Sequence, residues 1–155
     1  MFVSGNILHI SNYDFEDSKT APKNKYLVVL HNDSNTIIVG TLTTSQDYVP
    51  DEDKKEGCIK IDAKCIHCFH FPANKQIGEN GYCFSKNTFI YIERNIFTRE
   101  IAYLVSKYGD KGNIALEDRL SSAVYKELLL CIHKGQFVKR GIKKMLEVRI
   151  KELSQ

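Results

Sequence analysis

The residues best suited to chemistry cluster in one short run, Cys65-Ile66-His67-Cys68-Phe69-His70. Thiolates and imidazoles are the soft and borderline ligands that zinc takes, four at a time in a structural site. Cys58 stands seven residues earlier and Cys83 farther on. Only one Cys-x-x-Cys pair is present, whereas a zinc knuckle carries two ligand pairs at defined spacing. In extended backbone Cys65, His67 and Phe69 face one way, and Ile66, Cys68 and His70 the other, so a strand here would divide the ligands. No metal is therefore expected. The four zinc candidates Cys65, Cys68, His67 and His70 read first as a thiol- and aromatic-rich segment packed on a core. Either histidine could instead act as a base, because imidazole titrates near neutral pH.

The chain holds five cysteines, an odd number, in 155 residues, a length that folds without disulfides. They read as free thiols in a reducing compartment, several of them buried. No apolar run approaches the ~20 residues that span a bilayer. Met1-Phe2-Val3-Ser4-Gly5 lacks the basic start and apolar stretch of a secretory signal. The expectation is a cytoplasmic protein with no membrane partner. The charge of +3 is unevenly placed: residues 137–155 carry six basic and two acidic side chains, a net +4, so residues 1–136 carry −1. Such a basic tail either attracts nucleic acid by neutralising phosphates or forms a solvated helix face.

The surrounding elements divide the chain in two. Gly5 to Ser11 alternates loosely and suits a strand. Tyr13 to Asn24 is polar and reads as a loop. Lys25 to Leu30 is a short apolar, β-branched run, hence a buried strand, and Thr36 to Ser45 is a second. The turn cluster His31 to Asn35 makes the two a hairpin. Gly40 within the second run predicts a bulge or sharp bend. Gln46 to Gly57 is a charged loop. Cys58 to Asp62 and Thr88 to Ile92 are further strands, with a turn-rich stretch between them that fits no single pattern. Five closely spaced short strands favour a small barrel over a flat sheet.

After about Arg99 the pattern becomes helical. Leu116, Leu120, Ala123, Val124, Leu128, Cys131 and Ile132 recur on one face, and Gly135 ends that segment. Val138, Ile142, Met145, Leu146 and Leu153 make a second stripe on the basic tail. The fold class is thus mainly β with C-terminal helices, in a single domain over 1–155: a β part to residue 99 and a helical part from 100 packed on it.

Three segments taken in order resemble the MazF/PemK family of bacterial toxins. They are NKYLVVLHND (Asn24 to Asp33), TIIVGTLTTSQ (Thr36 to Gln46), and KIDAK (Lys60 to Lys64) followed by FSKNTFIYIERNIFTRE (Phe84 to Glu100). The resemblance spans residues 5–134 by order of elements. It implies an SH3-like barrel with a terminal helix, a homodimer, and a small antitoxin partner whose acidic, disordered tail fills the RNA groove. It also implies an endoribonuclease toxin that cleaves single-stranded RNA without metal or other cofactor. The substrate's own 2′-hydroxyl attacks the neighbouring phosphorus, which requires a base, an acid and positive charge on the phosphoryl oxygens.

Family enzymes use an arginine on the first of these strands and a Thr or Ser at the end of the second. By correspondence the hydroxyl role falls on Thr43 or Thr44, only one of which should face the site because side chains alternate along a strand. The arginine role falls on Lys25, with Lys23 as competitor, and Lys23, Ser45 and Gln46 are the expected RNA contacts. Here the chain departs from the family, since lysine lacks the planar fork that binds two phosphate oxygens at once. Two other classes fit the same residues: a barrel that binds nucleic acid or protein without catalysis, and a zinc-stabilised interaction domain. By themselves Thr43, Thr44 and Ser45 are ordinary strand residues.

Overall fold

A computed structural model describes the whole chain except Glu16, Ser18 and Ser45. Five antiparallel strands form one sheet in the order β7-β3-β2-β1-β8: β7 Ile96–Glu100, β3 Thr36–Leu42, β2 Lys23–Asn32, β1 Asn6–Tyr13 and β8 Ile114–Arg119. Three more form a second sheet, β4 Gly57–Ile61, β5 Ile66–Phe71 and β6 Thr88–Tyr91. Just beyond β3, Thr43 crosses between the two. Its N–H donates to Phe89 O, and its C=O accepts from Phe89 N–H, each at 2.9 Å. Neither sheet closes on itself among the described residues. The fold is therefore mainly β with C-terminal helices, and it is built as two joined antiparallel sheets.

The run Leu27 to Leu30 is apolar throughout because both faces of β2 are covered. Strand alternation sends Val28 and Leu30 into the main core, shared with the second sheet and with helix α2, Ser122–His133. It sends Leu27 and Val29 to the opposite face. There Leu104 of α1, Ile101–Leu104, and Tyr108 of the π turn that follows it form a smaller core with Leu8, Ile10, Ile37 and Val39. The hairpin of β2 and β3 matches the sequence reading. Gly40, however, pairs in regular register with Val28 and Ile96, and the irregularity lies opposite, between Val29 and His31 of β2. Gly40 is small for a packing reason: a Cβ there would lie 3.1 Å from Ile90 Cδ1 of the facing sheet.

The helical reading of residues 114–120 is corrected. Ile114–Arg119 pairs with β1 as edge strand β8, and Leu116 is half exposed. The i, i+4 spacing of Leu116, Leu120 and Val124 imitates a helix, but α2 starts only at Ser122, where the Ser121 side chain caps it by accepting from Val124 N–H. Asp118 holds the junction. Its buried carboxylate accepts from the backbone N–H groups of Asn80, Tyr82 and Arg119 and from the Asn80 amide. A Cβ on Gly78 would collide with that carboxylate.

Helix α3, Arg140–Leu153, lies on the main core through Leu146, with Ile142, Ile150 and Leu153 beside it. Met145 is 38% exposed and leaves the apolar stripe. The reading of every cysteine as a free thiol is also corrected. Cys58 of β4 and Cys131 of α2 form a disulfide across 5.5 Å between Cα atoms, while Cys65, Cys68 and Cys83 are free. The helical stripe and the alternating strand each place one of these cysteines toward the core between β4 and α2, which makes the pair geometrically possible.

Candidate functional site

The face of the large sheet that α1 covers continues past Leu27 and Val39 without a covering helix. Alternation carries Lys25 and Lys23 of β2, and Thr41 and Thr43 of β3 and its extension, onto this open end. Phe97 and Arg99 of β7 flank it on one side, and Tyr13 and Phe15 on the other. With Gln46 and Asn95 these residues line a groove of about 390 Å³. Each wall is held from behind. Tyr13 stacks on Tyr108 at 6.0 Å between ring centroids, and Asp14 N–H donates to Tyr108 Oη at 3.1 Å. The Tyr91 hydroxyl donates to Gln46 O at 2.6 Å and accepts from Tyr48 N–H at 2.9 Å, fixing the loop that carries Gln46.

Among the described residues the groove is lined by three cations, three aromatic rings and a set of hydroxyl and amide groups, and by no carboxylate. Lys23 and Lys25 lie over the Phe15 ring, their Nζ atoms 5.5 and 5.8 Å from its centroid. The Arg99 guanidinium lies 4.8 Å from the centroid of Phe97. Burial, and then the neighbouring charge of Lys23, hold the Lys25 ammonium below the usual lysine range. Arg99 also lines a second hollow of about 340 Å³, with Phe137 and Lys139 at the start of the basic tail. Glu93 lines that second hollow too, so Arg99 and Lys139 share it with one carboxylate.

The sequence-derived site residues fall as follows. Lys23, Lys25, Thr43 and Gln46 come together in the groove. Thr44 is exposed and is not part of the lining, as alternation along β3 requires. Ser45 lies outside the described residues. Arg99 was not singled out by sequence. The pairing of β7 with β3 sets Arg99 opposite Ile37, six residues along β3 from Thr43, and its guanidinium lies over Phe97 where it lines the groove; no local pattern encodes that pairing.

Neither histidine lines the groove. His70 is buried against Phe89, ring on ring at 4.7 Å. Its Nδ1 lies 2.8 Å from Lys55 O. A carbonyl only accepts, so Nδ1 carries the hydrogen and the buried Nε2 has no partner among the described residues. Cys68 is buried beside Ile59 and Phe89, and burial pushes its thiol up to about 12. Cys65 is exposed. The four zinc candidates therefore do not converge. His67 instead meets the disulfide: its Nε2 lies 3.6 Å from Cys131 Sγ, and Cys58, His67 and Cys131 place their ligand atoms within 4.8 Å of one another.

No protein-family model matches the chain, and no curated protein matches it. Among the described residues, no helix is long and apolar enough to cross a membrane.

Proposed function

We propose that this protein is a MazF-like, metal-independent endoribonuclease that binds single-stranded RNA in the Lys23–Lys25–Arg99 groove. The observation that carries the reading is the convergence, in one carboxylate-free lining among the described residues, of Lys23, Lys25, Thr43 and Gln46 with Arg99. Cations that track phosphates, interleaved with rings on which bases stack, are the general solution for single-stranded nucleic acid. Arg99 supplies the planar fork that a lysine at position 25 lacks. The two sheets joined at Thr43 and Phe89 are read as an SH3-like barrel that has opened along one seam.

The chemistry assigns each group a role. Lys25 in its neutral form takes the proton of the 2′-hydroxyl, and burial favours that form. The 2′-oxygen bonds to phosphorus and the bond to the 5′-oxygen breaks, that oxygen taking a proton from solvent. The products are a 2′,3′-cyclic phosphate and a 5′-hydroxyl. Arg99 and Lys23 balance the charge that develops on the phosphoryl oxygens, and the Thr43 hydroxyl donates to one of them. Tyr13, Phe15 and Phe97 stack flanking bases, and Lys139 holds the strand beyond Arg99. The homodimer, the antitoxin with an acidic tail that competes for the groove, and the cytoplasmic location belong to the same proposal.

Incubation of the purified chain with single-stranded RNA in excess chelator tests it. Cleavage leaving cyclic-phosphate ends supports the reading, and cleavage that requires added metal opposes it. Salt-sensitive binding without product would assign the groove to the alternative, a non-catalytic binding module.

A further inference from the structure

The contact between His67 and the Cys58–Cys131 bridge serves no step in the groove, and its chemistry is that of a metal site. Two sulfurs and one imidazole nitrogen lie within 4.8 Å of one another. In a tetrahedral zinc centre, Zn–S bonds of about 2.3 Å and Zn–N bonds of about 2.0 Å set ligand atoms roughly 3.5–3.8 Å apart. The 3.6 Å between Cys131 Sγ and His67 Nε2 already meets that spacing. The surroundings also accommodate the reduced form. Cys131 Sγ lies 3.5 Å from Cys68 O, a carbonyl that accepts from a thiol S–H but gains nothing from a disulfide sulfur. His67 opens onto a hollow of about 160 Å³ that Lys60, Asp62 and Glu93 also line, with Lys60 and Asp62 ion-paired at 2.6 Å, so the imidazole is the ligand that solvent reaches.

We propose that Cys58, Cys131 and His67 form a redox-gated zinc site: closed as a disulfide under oxidising conditions, and a three-ligand Zn²⁺ site with one water when reduced. A dithiol reductant delivers two electrons and two protons to the bridge, giving two thiols and leaving itself as a disulfide. Zn²⁺ then displaces both thiol protons and bonds to the two thiolates. His67 moves its remaining hydrogen to Nδ1 so that Nε2 can bind the metal. Exchange with a small-molecule disulfide reverses this: the two thiolates form the bridge, the disulfide takes their two electrons and two protons from solvent to become two thiols, and the ion is released. In either state β4 remains tied to α2, so the fold keeps its cross-link while the metal content reports redox conditions.

The test uses the full chain carrying Cys65→Ser and Cys83→Ser, which removes the exposed thiols and leaves the site intact. Without reductant, thiol titration under denaturing conditions is expected to find only Cys68 free. After reduction with a phosphine, which takes the oxygen of water as it delivers two electrons, Co²⁺ and then Zn²⁺ are added alone. The expected result is one metal per chain, with the visible absorption of tetrahedral thiolate-bound Co²⁺, and none in the oxidised protein. His67→Ala is expected to weaken binding at least tenfold, and Cys131→Ser to abolish it. His67→Gln, which preserves bulk, separates lost ligation from lost folding when checked by circular dichroism. Three fully reduced thiols in the untreated protein, no metal uptake after reduction, or equal uptake by a folded His67 variant would each overturn the proposal.

Discussion

Lys25 is where residue-level chemistry is most sharply exposed to test. If it acts as the base, its proton affinity is lowered by burial and by Lys23, so cleavage rises with pH and levels off earlier than an ordinary lysine would allow. Lys25→Arg then keeps RNA affinity within a few fold and loses at least ~100-fold in cleavage, because a guanidinium does not deprotonate. A Lys25→Arg variant as active as the parent would make Lys25 a charge carrier and move the base elsewhere. Thr43→Ala is expected to reduce cleavage by about tenfold or more, and Thr44→Ala to leave it unchanged, since only Thr43 lines the groove.

Asp118 is a second residue whose effect is calculable. Burial raises its carboxyl pKa, but the N–H groups of Arg119, Tyr82 and Asn80 outweigh that and hold it below the usual carboxylate range. A carboxylate with a lowered folded pKa contributes stability that is fully present above its unfolded value of about 3.9 and is lost as pH falls through the folded value. Asp118→Ala leaves buried donors unpaired and is expected to cost about 2 kcal/mol or more, read from denaturant unfolding at pH 7. In Asp118→Ala the acid limb of the stability profile should flatten below pH 4.

At the scale of elements, the legible parts were those whose local period matched their environment. The hairpin of β2 and β3 carries its own turn chemistry at His31 to Asn35, and the stripe Val138, Ile142, Leu146 marks α3. β5 was not legible, because Cys68, His70 and Phe71 are all buried and erase the alternation. β8 was misread because its apolar spacing is helical by coincidence. The Ser121 cap was the signal that could have placed the helix start later. The bridge between β4 and α2 could not be found from spacing, since its cysteines stand 73 residues apart in sequence. Replacing both Cys58 and Cys131 by Ala is expected to lower stability under oxidising conditions by about 2–4 kcal/mol. The same substitution should have a smaller effect in the presence of reductant, which thermal unfolding with and without reductant would show.

For the whole molecule, the organising fact is a sheet with two covered faces, one of which is left open at its far end. That opening is where the charge collects, although residues 1–136 together carry −1. Composition pointed to the tail as the basic element. The structure adds that, among the described residues, no tail residue lines the groove; Phe137, Val138, Lys139 and Ile142 line the neighbouring hollow that Arg99 shares. With Lys23, Arg99 and Lys139 each neutralising one phosphate and Lys25 neutral as the base, the logarithm of RNA affinity should fall against the logarithm of salt with a slope of about −2. Lys139→Ala should reduce that slope by about 0.7 without lowering the cleavage rate at saturating RNA. Half of the site, Lys23 to Thr43 on adjacent strands, was legible because a hairpin brings neighbours in sequence together. The other half, Phe97 and Arg99, arrives by long-range pairing.

The most direct test of the central claim is a single-turnover cleavage assay on single-stranded RNA in excess chelator, comparing the parent with Arg99→Ala. The parent is expected to cleave without metal to 2′,3′-cyclic phosphate and 5′-hydroxyl ends, and Arg99→Ala to lose at least ~100-fold with the fold intact. Equal cleavage by both proteins, or no cleavage by the parent under these conditions, would contradict that claim.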